Sequence, residues 1–338
     1  MAPHLLSNSC SRREKRGIIV FVETEAGNKM KKTVAMSAAM SILIAAALPF
    51  TAAAEDTYPH YLEENESRYE TYGEKNPNLP RDVVLAYVNA NVDLGFYNGI
   101  ETVENPDSKT VLVNKNFALP TGYEPGNLVS LDGGFQLRGE AAAQFGRMRT
   151  DMNAMGYRIY LIATYRTYQT QAGRYSNAVG IYGRDWADLQ FARGGHSEHQ
   201  TGFAIDILHT TGIPFMVDAR FENTREYTWL RNNAHRYGYI LRYPREEMDI
   251  HGFLFEPWHW RYVGVAIATA MYDEGITLYE EYYGRYLAPG VIEKREVEIF
   301  KHYYSRFGRY FIPELGIRFY YASSQFTGDS GTFVQGSQ

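Results

Sequence analysis

An α+β fold is predicted for this chain by three features of its sequence. Helical and strand-like segments follow one another without the regular alternation that builds a doubly wound sheet. The strand-like segments are short and rich in apolar and aromatic residues, as in Tyr157–Ala163. Hydrophobic residues make up 45% and charged residues 22% of the 338. That balance is ordinary for a globular protein, and a chain of this length buries a full core without disulfides.

The elements are read in order. Glu55 to about Pro80 is polar and rich in Asn, Gly, Pro and Glu, which reads as a linker or arm. Asp82–Asp93 has alternating apolar positions and reads as a strand or short helix. Val111–Val113 is a β-branched run, and Pro120, Gly122, Pro125 and Gly126 punctuate a turn-rich loop. Gly139–Met155 carries apolar residues at three- and four-residue spacing and reads as a helix. Tyr157–Ala163 reads as a buried strand, Tyr168–Val179 and Trp186–Arg193 as helices, and Phe203–Leu208 as a strand. Thr224–Tyr237 is a helix, Tyr239–Tyr243 a strand, Trp258–Val263 the last strand and Val265–Tyr283 a helix. The tail from 289 to 338 is dense in aromatics, and its Gly/Ser-rich end from Thr327 is expected to be flexible. The main body is therefore placed at 81–288.

The beginning of the chain reads as an export signal. From Met30, Lys31 and Lys32 form a positive n-region, Thr33–Phe50 an uncharged apolar run, and Ala52 and Ala54 a small-residue cleavage site before Glu55. The apolar run is close to the minimum spanning length of roughly 17 residues, so an uncleaved signal could make transient membrane contact. The segment 1–29 carries Arg12, Arg13, Lys15 and Arg16 and fits no signal, so Met30 is the expected start. The sole cysteine, Cys10, lies there, so the mature chain has neither thiolate catalysis nor disulfides, which suits an extracytoplasmic site. The whole chain carries −5; residues 1–54 contribute +4, leaving −9 for the mature protein. That balance gives nucleic acid no support as a partner.

Two segments carry the candidate chemistry. One is Gly195-His-Ser-Glu-His-Gln-Thr-Gly-Phe-Ala-Ile-Asp206, the other Phe255-Glu-Pro-Trp-His-Trp-Arg261. A catalytic zinc takes three protein ligands and keeps one position open. His199 before the Gly202 turn, Asp206 on the following strand and His259 on a separate strand are suitable donors. Asp206 shares a strand face with Ala204, while Phe203, Ile205 and Ile207 face the other way. A carboxylate buried among apolar residues requires a partner, and a metal would serve. Glu256, three residues before His259, is the candidate base for the attacking water. On spacing alone, a metal centre and a hydrogen-bonded core cluster both remain open.

These residues resemble a known family. Ser197, His199, Gly202, Ala204 and Asp206 match the S-x-H-x-x-G-x-A-x-D motif of the D-alanyl-D-alanine carboxypeptidase family of zinc peptidases (peptidase family M15), which includes vancomycin-resistance D,D-carboxypeptidases and related L,D-carboxypeptidases. Glu256-Pro-Trp-His259 matches its E-x-W-H motif, and Tyr165–Gln171 resembles its Y-R-S-Y-x-x-Q segment, with Thr167 in place of Ser. The resemblance implies a central antiparallel sheet with flanking helices and a zinc site in an open groove. It implies one Zn2+ per chain on His199, Asp206 and His259, with Glu256 as general base. Arg166 would stabilise the oxyanion, Ser197 would bind the substrate's terminal carboxylate, and Gln171 would add a polar contact. The implied substrates are peptidoglycan stem peptides ending in D-Ala.

Neighbouring groups are set aside. Glu198 is expected to be solvated. A fourth protein ligand would close the catalytic position, so His196 and His251 are left out. Arg166 could alternatively pair with a surface carboxylate. The L,D-carboxypeptidase activity on tetrapeptide stems, a wall endopeptidase and an inactive wall-binding module are the competing functions; the last has no need of a base at 256. Intact mass of the precursor is expected to show a chain starting at Met30; a product starting at Met1 would contradict that reading.

Overall fold

The computed structural model describes residues 58–210 and 219–294. The expected signal segment and all of the aromatic tail beyond residue 294 lie outside these residues. Among the described residues, no helix is long and apolar enough to cross a membrane.

The segment read as a linker or arm contains a helix. α1 (Glu66–Lys75) buries Tyr69 completely and packs on α2 (Arg81–Asn89), which begins after Pro80. A polar composition hid this, because a few tyrosines anchor the helix: the Tyr69 hydroxyl donates to Asn89 Oδ1 at 2.6 Å while its ring meets Tyr61. Asp82–Asp93 is thus helical at its start. Two short pairs follow, β1 (Glu101–Thr102) parallel to β2 (Phe117–Ala118), and the antiparallel β3 (Leu128–Ser130) and β4 (Gln136–Arg138). Val111–Val113 is buried without joining a ladder; Val111 and Val113 pack with Leu119 in a small cluster, and Leu112 turns to another core.

Four antiparallel strands make the central sheet in the order β5-β6-β8-β7: β5 (Tyr160–Ala163), β6 (Ala204–Leu208), β7 (Tyr239–Leu241) and β8 (His259–Tyr262). This is the expected antiparallel sheet, and both its faces are covered. Ile205, Ile207, Tyr239, Leu241, Trp260 and Tyr262 face one core with Phe145, Met148 and Met152 of α3 (Gly139–Ala154). Alternation sends Asp206, His259 and Arg261 to the opposite face. There Ile240 and Val263 join a second core with Tyr279 and Tyr282.

The remaining helices flank this frame. α4 (Tyr168–Tyr182) is capped by Thr167, whose hydroxyl accepts from Thr170 N, and α5 (Arg184–Gln190) follows directly. α6 (Arg225–Asn233) is capped in the same way by Thr224, and the short α7 (Met248–His251) ends at a left-handed Gly252. The single helix expected over Val265–Tyr283 is two, α8 (Val265–Glu274) and α9 (Tyr279–Tyr286). Gly275 at φ +71° takes the left-handed conformation that ends α8.

α9 crosses α2 at Gly284, where a Cβ would sit 1.8 Å from the Ala86 carbonyl oxygen. Backbone cannot retreat as a side-chain tip can. Gly284→Ala is therefore expected to destabilise the protein by about 1–3 kcal/mol or more, as overpacking does, read as a lower melting temperature. An unchanged melting temperature would contradict this packing.

Candidate active site

The β6–β8 register builds the site. Asp206 and His259 are direct cross-strand partners, so both side chains rise side by side from one face of the sheet. His199 arrives from the tight turn Glu198–Thr201, which closes on left-handed Gly202 at φ 74°. A Cβ at Gly202 would also crowd Leu128 at 2.9 Å and Arg138 at 3.2 Å, so this turn needs glycine on two counts. Arg166 follows β5, and its backbone N–H donates to the His199 carbonyl at 3.2 Å, tying the two segments together. Glu256 is held by its backbone N–H on the Tyr243 carbonyl.

All seven residues singled out from the sequence, Arg166, Gln171, Ser197, His199, Asp206, Glu256 and His259, line one cavity. His199, Asp206 and His259 are buried, and one ligand atom from each lies within 4.8 Å of the others. His199 Nδ1 lies 2.7 Å from the Thr164 carbonyl, a contact only an N–H can satisfy, so Nε2 carries the lone pair. That Nε2 is buried without a hydrogen-bond partner, 3.2 Å from Asp206 Oδ1. His259 Nδ1 lies 2.9 Å from the same oxygen and 3.9 Å from Glu256 Oε2. His199 Nε2 and Asp206 Oδ1 thus face each other with no hydrogen between them, an arrangement that a cation beside them resolves. Tetrahedral zinc with bonds of about 2.0–2.2 Å separates its ligand atoms by roughly 3.3–3.6 Å, close to these spacings. The donor set fits zinc.

The electrostatics agree. Burial and then the Arg166 guanidinium push His199 down to about 4, so it is neutral and ready to ligate. Burial lowers His259 too, but hydrogen bonds to Asp206 and Glu198 outweigh it and raise it to about 9. Asp206 is disfavoured as an anion by burial yet held well below the carboxylate range by both histidines. Burial raises Glu256 to about 8. Arg166 is lowered to about 10 by burial, opposed by Asp206, whose Oδ2 lies 3.6 Å from its Nη2. This pairing is internal, against the surface alternative. Its Nη1 donates to Gln171 Oε1 at 2.8 Å, and Gln171 Nε2 donates to the Ala192 carbonyl at 2.6 Å.

One expectation is overturned. Glu198 is not solvated; it is completely buried, with Oε1 accepting from Arg242 Nε at 2.8 Å and Arg261 Nη1 at 3.0 Å. Two guanidiniums, Arg261 on β8 and Arg242 directly after β7, supply the counter-charge its sequence neighbours do not. The signal lay in those segments: Arg242 and Arg261 interrupt apolar runs, and a buried arginine requires an acid. His196 stays off the cluster, with Nδ1 at the Asn114 carbonyl, and His251 Nε2 lies at the Pro244 carbonyl.

The family model "VanY: D-alanyl-D-alanine carboxypeptidase" matches residues 134–265, which contain the whole site. The YodJ protein of Bacillus subtilis is 38% identical over 200 residues, covering 56% of this chain and 72% of that protein. The chain belongs to the VanY family. The bifunctional D-Ala-D-Ala dipeptidase and carboxypeptidase VanXYC of Enterococcus gallinarum is 33% identical over 186 residues, covering 53% of this chain and 95% of the relative. Among solved structures, the LdcB LD-carboxypeptidase superposes with a TM-score of 0.52 at 37% identity, over 55% of this chain and 91% of that one.

Without metal, His259 and Glu256 both hold protons at pH 7, whereas His199 does not. Zinc binding at that pH is expected to release about one to two protons per ion, read by calorimetry in buffers of different ionisation enthalpy. A binding heat independent of buffer would contradict these protonation states.

Proposed function

We propose that this chain is a zinc-dependent D-alanyl-D-alanine carboxypeptidase that removes the terminal D-Ala of peptidoglycan stem peptides. The observation that carries the reading is one cavity holding a His-Asp-His metal set, a separate buried carboxylate at Glu256 and a guanidinium at Arg166. A binding module has no use for the second carboxylate.

His199 Nε2, Asp206 Oδ1 and His259 Nδ1 would hold the ion. When bound, zinc supplies a Lewis acid for the scissile carbonyl and an acidified water. Glu256 takes the proton of the attacking water and delivers it to the departing D-Ala amine. Arg166, braced by Gln171, offers its guanidinium to the oxyanion as it forms. Ser197 lines the same cavity and would hydrogen-bond the substrate's terminal carboxylate. Gln171 spends its amide on Arg166 and Ala192, so its role here is to position Arg166.

The likeness to LdcB, whose structure concerns peptidoglycan recognition, supports a site of action outside the cytoplasm, and Met30–Ala54 reads as a cleavable export signal that would carry the chain there. The L,D-carboxypeptidase reading on tetrapeptide stems is kept beside the D,D reading because of the likeness to LdcB.

Zinc-loaded protein from Glu55 onward is expected to release one D-Ala from a pentapeptide stem, with mass as the readout. Release from the tetrapeptide alone would favour the L,D reading, and cleavage of neither with zinc bound would overturn both. Glu256→Gln is expected to keep zinc while kcat falls at least 100-fold, in line with the contribution of a general base. A wild-type rate in that variant would remove Glu256 from the mechanism.

A further inference from the structure

We infer that Arg174 is a specificity-determining residue of the active site: it holds a free carboxylate on the stretch of stem peptide that precedes the scissile bond. The inference rests on the carboxypeptidase reading above and adds to it a chemical group that the preferred substrate presents.

Arg174 lines the same cavity as His199, Asp206, His259, Glu256 and Arg166. It stands on α4 three residues after Gln171, so the two side chains leave the same face of that helix. Gln171 is buried against Arg166, whereas Arg174 is exposed, which puts it at the open end of the cavity. The two guanidiniums of the cavity are near enough to feel each other: after burial and Asp206, the positive charge of Arg174 is the next influence on Arg166. In the reading above, Arg166 serves the scissile carbonyl and Ser197 the terminal carboxylate. Arg174 is then the cation that remains for the rest of the substrate.

The protein itself does not answer this charge. Arg174 is the only charged residue of α4, so its own helix offers no acid three or four residues away. Asp188 on the adjoining α5 is already taken, by Arg193 Nη2 at 2.8 Å and Nε at 3.0 Å and by the Tyr175 hydroxyl at 2.8 Å. Among the described residues, Arg174 has neither an ion pair nor a hydrogen bond. A guanidinium presents its donors in a planar fork that fits a carboxylate edge. The whole chain carries −5, so its bulk charge disfavours an acidic peptide. A preference for such a peptide has to come from a local cation, and the cavity mouth supplies one. A stem peptide can offer a free carboxylate in two places ahead of its terminal D-Ala: on a γ-linked D-Glu at the second residue, and on the side chain of diaminopimelate at the third. Lysine at the third residue is that same side chain without its carboxylate.

Calorimetric titration of zinc-loaded Glu256→Gln protein tests it, since that variant is expected to hold a stem without cleaving it. The probes are stems of four and five residues with diaminopimelate and D-Glu, with lysine in place of diaminopimelate, or with the D-Glu carboxylate amidated. The stem with both carboxylates is expected to bind about 5–10-fold tighter than the one that lacks the recognised group, between an exposed and a buried charged contact. That ratio is expected to shrink in high salt and to fall to about 1 when Arg174→Gln is added. A gap against the lysine stem assigns the third-residue carboxylate, and a gap against the amidated stem the second. No gap against either, or a gap that survives Arg174→Gln, would overturn the inference. In the cleaving enzyme, Arg174→Gln is expected to raise KM for the favoured stem without lowering kcat, as loss of uniform binding does; a fall in kcat alone would contradict it. Failure of the wild-type chain to cleave any stem would count against the carboxypeptidase reading, while the binding ratios, which need no turnover, still decide the role of Arg174.

Discussion

The pairing of Asp206 with His259 across β6 and β8 is the constraint on which the site depends. Because side chains alternate along a strand, a slip of one residue would carry His259 into the apolar core and bring Trp260 to the cavity. The register is held by that same alternation. Ile205, Trp260 and Leu241 are consecutive cross-strand partners on the core face, so the apolar packing that stabilises the sheet also places the ligands. His199 needs a separate device, the turn closed by Gly202, and the Thr164 carbonyl then orients its ring.

Behind the ligands lies a buried ionic layer of Glu198, Arg242, Arg261 and Glu280. Such a layer is a poor source of stability, since desolvation offsets much of its attraction, but removing one member typically costs about 3–5 kcal/mol. Its effect is directional. Each carboxylate oxygen and guanidinium edge has an assigned partner, so the side chain that meets His259 has one available orientation. The two histidines of the cluster thus have different supports: a backbone carbonyl for His199 and a carboxylate for His259.

That His199, Asp206, His259 and Glu256 come together was legible in the sequence because short motifs carry them, and the motif residues are close along the chain or fixed by a strand. The antiparallel sheet was legible for the same reason. Glu198 was not, because its partners lie 44 and 63 residues away and only folding reveals that they share its pocket. Polar composition concealed α1, whose burial rests on Tyr69 and its neighbours instead of an apolar stripe. The break between α8 and α9 turned on Gly275, which a helical periodicity tolerates until its φ is known. Gln171 looked like a substrate contact from its place in the motif, and its two hydrogen bonds direct it to Arg166.

The central claim is that His199, Asp206 and His259 hold one ion between them. Anomalous diffraction at the zinc edge from crystals of the zinc-loaded protein tests it most directly. The account predicts a single strong peak about 2.0–2.2 Å from His199 Nε2, an Asp206 carboxylate oxygen and His259 Nδ1. A peak elsewhere, or none at these three side chains, would contradict it.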